Sequence, residues 1–171
     1  MATQRSDLAK AEHWVIKIGS AVFLRDDRHV DRPNFTSLIE GIDRLIGAGH
    51  RVTIVSSGAV ALGRERLGWA QVEGPSDITD MQALAAVGQS RLVQMYESEL
   101  QHYDRKVAQI LFARADLDDR ERFLNARRAL HRVHQFGAVP VINENDSVAT
   151  EELRFGDNDQ LAAMTCGVEQ A

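Results

Sequence analysis

Residues able to do chemistry gather at three places in the chain. Asn143-Glu144-Asn145-Asp146 is followed shortly by Gly156-Asp157-Asn158-Asp159. These carboxylates and amides come just beyond Ala138-Val139-Pro140-Val141-Ile142, an apolar run that reads as a buried strand. Far upstream, Lys17 stands in Trp14-Val15-Ile16-Lys17-Ile18-Gly19-Ser20, a charge within a strand-like run that opens into a glycine turn. Between the two lies Val55-Ser56-Ser57-Gly58-Ala59, a second strand end running into a turn. Polar groups collected at the carboxyl ends of strands are where open α/β sheets bind ligands.

Each group suggests a task. The ammonium of Lys17 is a compact charge suited to a phosphoryl group. Gly19 lets backbone N–H groups approach phosphate oxygens closely, and Ser20 adds a hydroxyl donor. The turn at Ser57 and Gly58 would present free N–H groups at a helix N-terminus, an anion site. Asp146 fits a ligand ammonium, the amides of Asn143 and Asn158 fit a carboxylate, and Asp159 suits the orientation of Lys17. One end of such a site holds an amino acid and the other a phosphate.

Plainer readings stand beside these. Lys17 reads equally as an edge-strand lysine reaching solvent. The serines read as an ordinary helix cap. Asn143, Asn145, Asp146, Asp157 and Asp159 are all turn formers and cap residues. Residue types alone leave both sets open.

Several motifs are excluded. Neither Gly-x-x-x-x-Gly-Lys-[Ser/Thr] nor Gly-x-Gly-x-x-Gly occurs. The serine turn lacks the first glycine of a nucleophile elbow, because Val55 precedes it. A calcium loop starting at Asn143 would need glycine where Val148 stands. None of the six histidines has zinc-motif partners, and His131 with His134 is expected on a solvated helix face.

The elements that position these residues alternate in type. Strands are expected at Trp14 to Ile18, Arg51 to Ser56, Lys106 to Phe112 and Ala138 to Ile142, all short and rich in Val and Ile. Phe35, Leu38, Ile39, Ile42, Leu45 and Ile46 form one helical stripe, with Pro33 near its start. Further helices are expected at Val60 to Leu67, Ile78 to about His102 and Arg120 to Phe136. Asp118 with Glu121 fits a capping box for the last of these, and Gly88 weakens the middle of the long one. Residues 69–77 read as a loop, and Ser147 to Phe155 as a loop closing over a ligand. Strands alternating with helices imply parallel βαβ units: an α/β fold with a mainly parallel sheet sandwiched between helices.

Composition sets bounds on the rest. The chain has 171 residues, 44% hydrophobic and 26% charged, as in an ordinary globular domain. A formal net charge of −5 argues against nucleic acid as the main partner. No apolar run approaches membrane-spanning length, so no membrane partner is expected. Cys166 is the lone cysteine, which fits a reducing cytoplasm. Residues 1–12 read as a flexible leader to a single domain over 1–171. The long helix at Ile78 to His102 could pack on a partner subunit as easily as on its own sheet.

Six segments resemble the glutamate 5-kinase family of the amino-acid kinase superfamily, in family order from Trp14 onward. They are Val15-Ile16-Lys17-Ile18-Gly19-Ser20, Val55-Ser56-Ser57-Gly58-Ala59, Ala85-Ala86-Val87-Gly88-Gln89-Ser90, Asp119 to Arg127, Val139 to Asp146, and Gly156-Asp157-Asn158-Asp159. The last two together set this family apart from aspartate, acetylglutamate, carbamate and uridylate kinases.

The resemblance implies a carbamate kinase-like fold and transfer of the γ-phosphoryl of ATP to the side-chain carboxylate of L-glutamate, the first step of proline biosynthesis. It implies Lys17 and Asp159 as catalytic residues, and Ser57, Asp146 and Asn158 as glutamate-binding, with Gly58, Asn143, Asn145 and Asp157 adjoining. Lys17, Gly19 and Ser20 would face the nucleotide phosphates, and Mg2+ would arrive with ATP rather than in a protein cage. Proline is implied as a feedback inhibitor, and the long helix at Ile78 to His102 points to a homo-oligomer. The resemblance covers the glutamate-binding N-terminal portion and stops before the nucleotide-binding half, so the chain is expected to be inactive alone. A non-catalytic glutamate- or proline-binding module, or a sister kinase acting on another small acid, are the alternatives.

Overall fold

The computed structural model describes residues 10–22, 30–68, 77–148 and 158–169. Four parallel strands form one sheet: β1 (His13–Ile18), β2 (Arg51–Ser56), β3 (Lys106–Phe112) and β4 (Ala138–Glu144), in the order β1-β2-β4-β3. The helices are α1 (Arg32–Gly47), α2 (Ala59–Arg66), α3 (Ile78–Leu100), α4 (Arg114–Asp118), α5 (Arg120–Gln135) and α6 (Asn158–Glu169). The central strands β2 and β4 are buried on both faces, as their continuous apolar runs require.

Alternation along the strands sends side chains to two cores. On one face Ile18, Val52, Ile54, Val139 and Val141 meet Phe35, Ile39 and Ile42 of α1, Leu62 of α2, and Leu92, Tyr96 and Leu100 of α3. On the other, Val55 and Ile142 meet Leu117 of α4, Leu130 of α5, and Leu161 and Val168 of α6. Complete burial of a side chain such as Ile39 or Leu62 contributes about 1.5–3 kcal/mol. The buried face of α3 therefore packs on the chain's own sheet.

Three local expectations change. β4 runs two residues further than its apolar stretch, because the ladder with β3 continues through Leu111↔Asn143 and Phe112↔Glu144; backbone pairing ignores side-chain polarity. The α5 cap is Asp119, whose carboxylate accepts from Arg122 N at 2.9 Å, while Asp118 closes the short α4. His134 is not on a solvated face. His131 is exposed, but the His134 side chain is only 10% exposed and turns inward toward Glu169. Of the loop expected over 69–77, only Asp77 is described; it caps α3 by accepting from Asp80 N at 2.9 Å. The closing loop lies outside the described residues beyond Val148, as do residues 1–9 of the leader.

At the amino-terminal end of the strands, a polar cluster interrupts the second core. Thr53 and Glu169 are bonded at 2.6 Å, with His13 and His134 on either side of the carboxylate. Burial opposes charge on Glu169, but hydrogen bonds from His13, His134 and Thr53 outweigh it and hold its pKa down at about 2.

Gly88 has a structural purpose. A Cβ there would lie 1.8 Å from the Ala59 carbonyl oxygen, and one at Gly63 would lie 2.0 Å from that of Leu84. Helices α2 and α3 thus touch backbone to backbone, a contact that outweighs the helix-propensity penalty of glycine. Gly88→Ala is expected to cost about 3 kcal/mol or more through forced separation of the two helices. Gly47→Ala, at a helical position with nothing within 4 Å, is expected to be neutral or to stabilise by up to about 1 kcal/mol. Thermal unfolding of the two variants checks both, and equal melting would refute the close-contact account.

Candidate active site

Strands β2 and β4 are neighbours whose chains leave for opposite faces, β2 into α2 and β4 toward α6. That divergence opens a crevice at the carboxyl end of the sheet. Of the residues singled out from sequence, Ser57, Asn143 and Asn158 are joined there by hydrogen bonds, and Lys17 is paired with Asp159.

Asn158, the first residue of α6, binds the crevice together. Its amide nitrogen donates to Ser57 Oγ at 2.9 Å, to Asn143 Oδ1 at 3.0 Å and to the Ser56 carbonyl. Asn143 is 2% exposed and donates in turn to Gln89 Oε1 at 2.8 Å, which joins α3 to the network. The ends of β2 and β4, the start of α6 and the middle of α3 are thereby fixed relative to one another. Buried amides justify this arrangement only when satisfied, since an unmet donor or acceptor costs about 1–3 kcal/mol. Gln89 Nε2 is such a donor: it is buried and has no partner among the described residues.

The next residue of α6 completes the pole. Asp159 Oδ1 lies 2.7 Å from Lys17 Nζ. The pair is partly exposed, 31% for Lys17 and 67% for Asp159, so it contributes roughly 0–1 kcal/mol to stability. Its consequence is placement. Lys17 is on an edge strand, yet its ammonium is held at the crevice and passes over the Gly19 turn, where an added Cβ would lie 3.8 Å from Nζ.

Gly19 leads into a 3-10 turn, Ser20–Val22, with Val22 N bonded to Gly19 O at 3.0 Å. Gly58 caps α2 with φ of 103°, a left-handed conformation that favours glycine. Asn145 and Asp146 form the half-buried turn after β4, anchored by Asn145 N to Phe112 O at 2.9 Å. Asp157 lies outside the described residues.

Gln89 and Tyr96 were given no role from sequence. Gln89 reaches Asn143 only because α3 crosses the sheet at that height. Ser56 Oγ meets Tyr96 Oη at 2.8 Å, and Tyr96 is fully buried edge-to-face against Phe35. Burial drives the Tyr96 hydroxyl pKa well above its ordinary value, so it stays protonated and pins the end of β2.

The arrangement presents a lysine ammonium, a glycine turn and an amide-lined crevice at one end of a parallel sheet. The Amino acid kinase family profile matches residues 12–168. The chain belongs to that family.

Among curated relatives, the glutamate 5-kinase of Nitrosococcus oceani is 47% identical over 171 residues, all of this chain and 45% of that protein. The chain therefore resembles the N-terminal portion of a glutamate 5-kinase and spans somewhat under half the length of the curated relatives it matches. The fold is shared with Giardia carbamate kinase, at TM-score 0.60 and 11% identity over 92% of this chain and 71% of that one. It is shared also with UMP kinase from Ureaplasma parvum, at 0.59 and 15% over 94% and 65%.

Asn158→Asp tests the network directly. The carboxylate would face three oxygens that now accept hydrogen bonds, so the variant should lose about 1–3 kcal/mol of stability. Chemical denaturation measures it, and an unchanged midpoint would show that Asn158 does not hold the crevice.

Proposed function

We propose that the chain provides the acceptor-binding part of a glutamate 5-kinase. In the reaction, an oxygen of the L-glutamate side-chain carboxylate attacks the γ-phosphorus of ATP, the bond from phosphorus to the bridging oxygen breaks, and ADP leaves with glutamyl 5-phosphate as product. The observation that carries this reading is the Lys17–Asp159 pair at 2.7 Å, set at the same pole as the Ser57–Asn158–Asn143 network.

Two anions must meet in this chemistry, and catalysis is mainly positioning and charge stabilisation. Lys17 neutralises charge on the transferring phosphoryl group, with Asp159 fixing where its ammonium sits. Gly19 and Ser20 offer the backbone and hydroxyl donors of the phosphate side. Ser57, Asn143, Asn158 and the Gln89 amide supply donors for the amino acid. Asp146, in the turn after β4, is the counter-charge for its ammonium, and Gly58 and Asn145 adjoin them.

Mg2+ would arrive with the nucleotide and neutralise phosphate charge there. The same reading has the protein act in the cytoplasm, in proline biosynthesis, with proline as inhibitor and a homo-oligomer as the assembly. Among the described residues no helix is long and apolar enough to cross a membrane.

Because the chain spans 45% of its relative, binding and turnover are measured separately. Calorimetry on the chain should show saturable L-glutamate binding without ATP, weakened about ten-fold by Ser57→Ala. Joined to the remaining length of the Nitrosococcus oceani relative, the chain should form glutamyl hydroxamate from glutamate, ATP and hydroxylamine. Lys17→Ala should lower kcat by about 100-fold or more. No product above the Lys17→Ala control would end the kinase reading, whereas binding without turnover would favour a glutamate-binding module.

A further inference from the structure

The polar cluster at the opposite end of the sheet has the composition of a metal site. Glu169 Oε2 lies 2.7 Å from His13 Nε2, and Oε1 lies 3.1 Å from His134 Nε2. The side chains are 3%, 4% and 10% exposed for Glu169, His13 and His134. One ligand atom from each residue falls within 4.8 Å of the others. The three come from β1, α5 and α6, which explains why no local spacing announces them.

We propose that His13, His134 and Glu169 bind a divalent transition-metal ion of the zinc class. Two borderline imidazole nitrogens beside one hard carboxylate oxygen make a donor set that suits zinc and disfavours Mg2+. Tetrahedral coordination with bonds of about 2.0–2.1 Å sets ligand atoms roughly 3.3 Å apart. The two separations from Glu169, 2.7 and 3.1 Å, need outward shifts of a few tenths of an ångström, and the Thr53 hydroxyl, 2.6 Å from Glu169 Oε2, 3.2 Å from His13 Nε2 and 3.1 Å from His134 Nε2, must turn aside for the ion. The fourth position opens on a cavity of about 540 Å³ lined also by Arg51, Arg127 and Arg128. A water or a small anion completes the sphere from there.

The surroundings also set the strength. Ligation through Nε2 puts the His13 proton on Nδ1, which is buried and has no hydrogen-bond partner among the described residues. Metal-bound imidazoles ordinarily donate that proton to an acceptor, whose loss costs 10–100-fold in affinity. The three arginines oppose a cation as well. Binding 10–100-fold weaker than that of a site with a satisfied second shell follows. The site is separate from the kinase pole: His13 and Lys17 are both on β1, about 13 Å apart at the rise of a strand. It stands whether or not the kinase reading holds.

Titration of the chain with zinc chloride by calorimetry should give one ion per chain, and cobalt(II) should develop the intensified visible absorption of a low-coordinate site. Glu169→Gln and His134→Gln should each weaken zinc binding ten-fold or more and abolish the zinc-dependent rise in melting temperature. Lys17→Ala should leave it intact. In the unaltered chain, zinc should shift the Nε2 resonances of two histidines in a nitrogen-15 spectrum, a readout that needs no variant to fold. Absence of zinc binding, unshifted histidine resonances, or undiminished binding in both folded variants overturns the proposal.

Discussion

Parallel pairing of β2 with β4 is the constraint on which this molecule turns. Both strands are buried on their two faces, so neither can slip in register without driving apolar side chains out of a core. Their chains depart in opposite directions, and the crevice between them follows from that divergence rather than from any residue placed to make it. Asn158 then closes the geometry. By donating across the ends of both strands, it makes the entrance of α6 part of the sheet's rim, and the lysine-binding carboxylate comes next in sequence.

The strands were legible to within a residue or two because a buried parallel strand is a bare run of apolar residues. Ser57 and Asn143 stood out because each follows such a run, Lys17 as a charge within one, and Asn158 and Asp159 as part of a segment rich in carboxylates and amides. Partnerships that depend on third parties did not. Gly88 looks like a flaw in a helix until Ala59 is seen against it. Asp118 and Asp119 are equally good caps on paper, and a short preceding helix decides between them. His134 sits within a charged helix, and only the arrival of Glu169 from α6 shows that it faces inward.

The two ends of the sheet solve the same electrostatic problem differently. At the carboxyl end, charge is kept partly wet, so the Lys17–Asp159 pair adds little stability. At the amino end, a carboxylate is taken out of water and held ionised by three hydrogen bonds.

The backbone contact between α2 and α3 reaches further than packing. Gln89 follows Gly88 directly, and α2 starts immediately after Ser57 and Gly58. The gap between these helices, set by two hydrogen atoms in place of methyl groups, therefore also gauges how far the Gln89 amide stands from the serine turn. A larger residue at position 88 would therefore move the rim of the crevice while every polar group there keeps its identity.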